Sequence, residues 1–180
     1  MRLDQYNNTN FSRGKPLWIE ILWIIIQSFF VSSWIPGSAH RKFLLKLFGA
    51  KIGKGVNIKP GIRVKFPWRL EIGDYTWIGE SVWIDNLAPI SIGNHCCISQ
   101  GVYLCTGSHD LSKEKFDFIA EPIIIHDSAW LGAISVIAPG VVVGNSAVLT
   151  MGSVAMKDLK EGWIYQGNPA CIIAKRVTEN

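Results

Sequence analysis

The sequence predicts an all-β solenoid, a pile of short-stranded triangular coils, preceded by a helical segment and closed by a short extension. Three observations carry that prediction. From Ile52 onward an aliphatic residue recurs every sixth position over most of the chain. The recurrence is broken once by a long surplus of residues. Before it begins, Leu17 to Ile35 holds 14 apolar residues in 19. These divide the chain into a helical segment over residues 1–50, a solenoid over 51–160 with an extruded loop at 106–121, and an extension over 161–180.

Composition removes several function classes before any element is placed. The 180 residues are 48% hydrophobic and 18% charged, enough to bury one core and too apolar for a disordered chain. A net charge of +4 with no Lys/Arg run longer than two gives no nucleic-acid footprint; it suits local phosphate or membrane contacts instead. Cys96, Cys97, Cys105 and Cys171 form no CxxC pair, and the first sixteen residues lack the apolar core of a cleavable signal peptide. A reduced, cytoplasmic chain with inert thiols follows as the expectation.

In the first segment, the polar exceptions to the apolar run are Glu20, Gln27, Ser28, Ser32 and Ser33. At helical periodicity the first four share an arc of roughly 140°. That arc suits a helix lying in a membrane interface, Trp-rich face down, better than one crossing the bilayer. A helix pair packed on the protein itself or on a partner subunit is the competing reading. Pro36-Gly37 breaks the chain, and Ser38 is placed to cap a second helix, Ala39 to Phe48, that stops at Gly49. Its His40, Arg41, Lys42 and Lys46 are basic, so charge flanks the apolar run on both sides and assigns no orientation.

The solenoid is read in sixes. Ile52, Ile58 and Val64 open the first three; Ile72, Ile78 and Ile84 the next; then Ile92, Ile98 and Leu104; and, past the interruption, Ile125, Leu131, Ile137, Val143, Leu149 and Ala155. A period of six is neither that of a helix nor of a strand, so it belongs to a larger unit. Three sixes make one triangular coil, and coils stack at the ~4.8 Å spacing of paired strands. Gly at the second place is expected to turn the corner. The fifth place is small or β-branched (Val56, Thr76, Val82, Ala88, Cys96, Val102, Ala129, Ser135, Val141, Ala147, Ser153), which makes Cys96 a packing residue. Ile52, Ile72, Ile92, Ile125 and Val143 open successive coils, and the third step, 33 residues, contains the surplus.

A long loop with no period of its own on a rigid scaffold is where chemistry concentrates. It begins Thr106-Gly107-Ser108-His109-Asp110, and His109 is the candidate: imidazole is the side chain suited to taking a proton near neutral pH. A carbonyl or carboxylate should fix its tautomer; Asp110 is adjacent but unassigned, since neighbouring side chains diverge.

The run Leu47-Phe48-Gly49-Ala50-Lys51-Ile52-Gly53, the segment Tyr103-Leu104-Cys105-Thr106-Gly107-Ser108-His109-Asp110, the closing Gly167-Asn168-Pro169-Ala170 and the repeat between them resemble the hexapeptide-repeat acyltransferases. Within that family the chain is most similar to O-acetyltransferases of colanic acid and related exopolysaccharide synthesis, and to maltose and galactoside acetyltransferases. The resemblance implies a left-handed parallel β-helix, a homotrimer with sites between adjacent prisms, acetyl-CoA as donor, no metal, and a sugar or lipid-linked glycan as acceptor. It makes His109 the general base of a direct ternary-complex transfer, with backbone N–H groups steadying the oxyanion. It places Trp130, Gly132 and Ala133 along the pantetheine, and Met151, Gly152, Ser153 and Lys157 at the other end of CoA. Asp85 and Asn86 fall near the acceptor-binding acids, though corner residues favouring turns are the competing reading. Two departures stand out: Ala133 and Met156 replace side-chain hydroxyls, and Cys171 replaces an Arg that meets CoA phosphate, leaving Lys175 or Arg176 as substitutes.

Two other readings compete. His95, His109 and His126 could serve as three zinc ligands of a carbonic anhydrase on the same fold, although their spacing is not that of the anhydrases, and the Thr106-Gly107-Ser108 lead-in and the closing Gly167-Asn168-Pro169-Ala170 suit acyl transfer. A non-enzymatic membrane-associated scaffold is the third. With acetyl-CoA cytosolic, the enzyme reading puts the chain at the cytoplasmic face of the inner membrane.

Overall fold

A computed structural model describes residues 2–8 and 11–177; the outermost residues of the two terminal segments, Met1 and 178–180, lie outside the described residues. The chain winds into a three-faced parallel solenoid. The first face stacks Lys51–Ile52, Leu70–Ile72, Ile90–Ile92, Ile123–Ile125 and Val142–Val143. The second stacks Asn57–Ile58, Trp77–Ile78, Cys97–Ile98, Trp130–Leu131 and Val148–Leu149. The third stacks Arg63–Val64, Trp83–Asp85, Tyr103–Cys105, Val136–Ile137 and Val154–Ala155. Ile52, Ile72, Ile92, Ile125 and Val143 stand in one column, the register that the sixfold reading gives. All eleven fifth-place residues are buried, so each coil fills its interior with one aliphatic and one small residue per side. The phase ends at Ala155, because Leu159, 16 residues after Val143 rather than 18, bridges back to it. The extension then folds as the antiparallel pair Trp163–Gly167 and Ala170–Lys175 on the second face.

The second-place glycines have a different cause from the one expected. They do not turn the corner. A Cβ on Gly73 would lie 2.6 Å from the carbonyl carbon of Gly93, and one on Gly132 would lie 2.5 Å from the backbone nitrogen of Met151. The next coil's backbone is simply too near for a side chain. The left-handed backbone that turns the corner comes two residues later, at the fourth place, where Gly101 and Gly152 sit and where Tyr75, Ser81, His95, Ser128, Ile134 and Ser146 are also held at positive φ. Between these places, third-place carboxylates and amides tie coil to coil: Asp74 Oδ1 accepts from the Lys54 N–H, Asn94 Oδ1 from Asp74, and Asp127 Oδ1 from Asn94.

The N-terminal segment is α1 (Leu17–Ile26), a π-helical turn Gln27–Val31, and α2 (Ala39–Leu47). Among the described residues no helix is long and apolar enough to cross a membrane. Ser38 is not a helix cap: its hydroxyl accepts from the Ile58 N–H instead. The reason is the open edge of the first coil, whose backbone has no preceding strand to pair with. Gln27 Oε1 accepts from the Val64 N–H, Trp23 Nε1 donates to the Val64 carbonyl, and the Ser32 hydroxyl donates to the Ile62 carbonyl. Trp23, Val31 and Leu45 are fully buried over the end of the core. Glu20, Gln27 and Ser32 of the polar arc therefore face the protein, while Ser28 is exposed and donates to the Ile24 carbonyl.

Candidate active site

The interruption is an antiparallel hairpin, Gly107–His109 against Phe118–Ala120, projecting from the corner between the third and first faces. Its base is tied down by Thr106, which is buried: the Thr106 hydroxyl donates to the Asp85 carbonyl and accepts from the Ala88 N–H, and the Glu121 N–H reaches the Thr106 carbonyl. A loop rooted this way presents its side chains on a fixed frame.

His109 Nδ1 lies 2.9 Å from the Phe116 carbonyl oxygen. A carbonyl can only accept, so Nδ1 carries the proton and Nε2 keeps its lone pair. The ring is stacked on Phe116 at 4.1 Å and 7°, with the edge of Phe118 at 5.8 Å and Tyr6 at 5.6 Å. The partner that fixes the tautomer is thus a backbone carbonyl seven residues on. Asp110 turns away: its carboxylate accepts from the Ser112 N–H and hydroxyl, which hold it below the usual carboxylate range.

The two residues expected at the acceptor separate. Asp85 is half-buried and its Oδ2 accepts from the Tyr103 hydroxyl at 3.1 Å. Burial, with the neighbouring Cys105 and Asp85, pushes that phenol well above its ordinary value, so it stays a donor. Asp85 pairs in register with Cys105 and shares the hairpin's edge. Asn86 is fully buried and clamps one backbone residue, its Oδ1 accepting from the Phe66 N–H and its Nδ2 donating to the Phe66 carbonyl. The Asn86 amide has no face toward solvent, so it is not placed to meet an acceptor in the way expected of it.

The expected CoA residues lie along another edge. Trp130, Gly132 and Ala133 run along one coil where the second face turns to the third, with Met151 and Gly152 on the next coil, and Trp130 Nε1 donates to the Ser99 hydroxyl. Ile134 and Met151 are 70% and 75% exposed there, and a Cβ on Gly152 would touch nothing within 4 Å. Two residues are placed otherwise than expected. Ser153 is buried, its hydroxyl engaged with Thr150 and the Gly167 N–H. Arg176 donates to the Ser128 and Ser146 carbonyls, stapling the extension to the solenoid, which leaves Lys175 as the exposed substitute for the missing Arg. Lys157, exposed, is at the far end of Val154–Ala155 on the hairpin's edge. His109 and the Trp130–Gly152 edge are accordingly set apart by the width of the third face.

The zinc constellation is not assembled within the chain. His95 and His126 are exposed on the corner between the first and second faces, one coil apart, while His109 is on the hairpin. Among the described residues no group of three His, Cys, Asp or Glu is placed to hold a metal ion. All four cysteines are free, and burial pushes the Cys96 thiol up, away from reactivity.

No family model matches the sequence. A curated relative, the "Putative colanic acid biosynthesis acetyltransferase WcaF" of Escherichia coli K12, is 41% identical over 169 residues, covering 93% of this chain and 92% of its own. The chain belongs to the hexapeptide-repeat acetyltransferases. The galactoside O-acetyltransferase of Escherichia coli K12 is more distant, 26% identical over 74% of this chain and 66% of its own. Among solved structures, a hexapeptide-repeat acetyltransferase of Vibrio cholerae O1 biovar eltor complexed with acetyl coenzyme A superposes with a TM-score of 0.85, at 24% identity over 98% and 97% of the two chains. A galactoside acetyltransferase in complex with coenzyme A gives 0.81, at 22% identity over 97% and 88%. These two confirm the fold of this acetyltransferase.

Sequence reasoning did not find Phe116 or Tyr103. Tyr103 had a usable signal, since it stands one coil after Trp83 and two residues before Cys105, the partner of Asp85. Phe116 had none, because its part is played by a backbone carbonyl and by a ring whose placement depends on the hairpin turn.

Proposed function

We propose that this acetyltransferase moves an acetyl group from acetyl-CoA to a sugar hydroxyl in the assembly of an exopolysaccharide or surface glycan, by direct transfer with His109 as general base. The observation that carries the reading is the fixed tautomer of His109. With Nδ1–H held by Phe116, Nε2 takes the proton from the acceptor hydroxyl as its oxygen attacks the thioester carbonyl. When the tetrahedral adduct collapses and the C–S bond breaks, the same nitrogen returns that proton to the departing thiolate. The ring stacked on Phe116 keeps the nitrogen in place through both steps.

The apolar edge of Trp130, Ile134 and Met151, smooth at Gly152, suits a thin pantetheine arm; the exposed Lys175, and Lys157 from the hairpin's edge of a second copy, are assigned to phosphate. Because that edge and His109 lie across a face from one another, closing a donor arm against the imidazole calls for the matching edge of a second copy. A homotrimer with sites between adjacent prisms meets this need. Asp85, oriented by Tyr103, is assigned to an acceptor hydroxyl; the name of the 41%-identical relative supports a glycan acceptor, lipid-linked or soluble.

His109→Ala tests the reading. Thiol release from acetyl-CoA should fall about 10²- to 10⁴-fold, while acetyl-CoA binding measured by calorimetry persists. Mass analysis of products across soluble and lipid-linked glycans identifies the acceptor. Turnover unchanged in the variant would end the mechanism.

A further inference from the structure

The cap of α1, the π-helical turn and α2 is apolar on both sides: Trp23, Val31 and Leu45 pack on the core, and a second apolar surface faces out. In a water-facing helix the polar stripe points outward and the apolar stripe toward the core. Here Glu20 is buried and paired with Arg13 at 2.6 Å, and Gln27 and Ser32 are spent on the backbone of the first coil. Apart from Ser28, what points away from the protein along α1 and the π-helical turn is apolar. Trp18, Phe29, Phe30, Trp34, Ile35 and Phe43 are exposed, Phe29 and Trp34 to about 70% (69% and 71%), and Leu17, Ile21, Ile24, Ile25 and Leu47 extend the same surface. Single exposed apolar residues need no cause, but a contiguous patch of this extent marks a binding face.

The charges around the patch indicate its occupant. Between residues 11 and 50 the one acidic residue is Glu20, which is buried; the basic residues are Arg13, Lys15, Arg41, Lys42 and Lys46. Arg41 is fully buried and turned inward on the carbonyls of Val31 and Ile35, and Arg13 is paired with Glu20, so Lys15, Lys42 and Lys46 remain to rim the apolar face. An aromatic-rich apolar plane whose own segment adds only lysines to its rim, with Glu80 of the solenoid near Lys42, is complementary to an anionic lipid surface: rings enter the acyl boundary and ammonium groups meet headgroup phosphates. Neither helix is long enough to go further in.

We propose that this face docks the protein on the surface of an anionic bilayer, seating the first-coil end of the solenoid on the membrane with α1 and α2 lying in the interface. The proposal stands apart from the acetyl-transfer reading, and it sets the hairpin above the docked end by the helix layer and two coils, about 20 Å. An acceptor sugar carried on a membrane lipid would be presented within that height.

The test is co-sedimentation of the full-length protein with vesicles of phosphatidylcholine alone and of phosphatidylcholine mixed with phosphatidylglycerol. Binding to the anionic vesicles, weakened by salt, is expected. Phe29→Ser and Trp34→Ser, both at exposed positions, should each lower partitioning roughly tenfold or more. Lys42→Ala and Lys46→Ala should each cost about fivefold on anionic vesicles and little on neutral ones. Circular dichroism and melting of the variants report their folding, and acetyl-CoA turnover on a soluble acceptor reports the active site separately. Wild-type protein left in the supernatant with both vesicle types overturns the proposal. So does light scattering showing that Phe29→Ser or Trp34→Ser reduces the oligomer size without lipid, which would make the face a contact between copies of this chain.

Discussion

The stack of Phe116 on His109 makes a measurable claim about the chemistry. Replacing Phe116 by Gly removes the ring at 4.1 Å but keeps the carbonyl that fixes the tautomer. Phe116 sits at φ +54°, a conformation that costs an L-residue about 1–2 kcal/mol and Gly almost nothing. Set against the added freedom of Gly in the unfolded chain, the hairpin's stability should change little. The stack itself is worth about 0.5–1.5 kcal/mol, so the population of correctly held imidazole falls, and kcat with it, between about twofold and twelvefold. The assay is thiol release from acetyl-CoA at saturating donor, with KM for acetyl-CoA unchanged because Phe116 is not among the residues assigned to the donor. Phe116→Tyr, which keeps the ring, should restore the rate. A kcat unchanged in Phe116→Gly, with melting temperature held, would show that the imidazole is positioned by something else.

Other outcomes follow from the same geometry. Asp110→Asn should leave kcat within about twofold, since the carboxylate serves Ser112 and not His109; a loss comparable to that of His109→Ala would return Asp110 to the mechanism. Asn86→Ala leaves the Phe66 N–H unpaired in the core, while its carbonyl keeps the Arg69 N–H, a cost of about 1–3 kcal/mol that calorimetry should record as a fall of roughly 2–12 °C. Gly73→Ala should destabilise by about 1–3 kcal/mol through overpacking, and Gly73→Asn no less, whereas Gly101→Asn should be milder than Gly101→Ala because Asn accepts left-handed backbone; rescue by Asn at both places would contradict the distinction drawn between them. The Asn94 N–H and amide groups hold the Asp127 carboxyl below its ordinary value, so the folded state binds that proton less readily than the unfolded one. Its stabilising effect is present above the ordinary carboxylate value and lost as pH falls through the folded one. Asp127→Asn keeps the acceptor and removes the titration, so its acid unfolding curve should be flatter below about pH 4.

The solenoid was legible because burial alternates with the repeat: a column of aliphatics at the first place and small residues at the fifth is a direct readout of which side chains fill the prism. The hairpin was legible as a fault in that readout, and His109 as an imidazole on it. What periodicity does not carry is backbone placement. It marks second-place glycines as special without saying whether a dihedral or a neighbouring coil demands them, and it cannot see that the Phe116 carbonyl is the partner of His109, or that Asn86 turns in while Asp85 stays within reach.

The N-terminal helix shows the same limit at its sharpest. Glu20, Gln27, Ser28 and Ser32 could be placed on one arc from the sequence, but an arc has no sign. It points to water in most proteins because nothing else offers its polar groups partners. Here the first coil does: the N–H groups of Ile58 and Val64 and the carbonyls of Ile62 and Val64 form an edge that no earlier strand pairs. Gln27, Ser32, Ser38 and Trp23 satisfy that edge at the cost of turning the apolar side outward. A parallel solenoid must close its first coil somehow. Closing it with a helix that turns Gln27 and Ser32 inward beside Trp23 leaves the remaining apolar residues outward, and that surface exists only once the coil beneath it has formed.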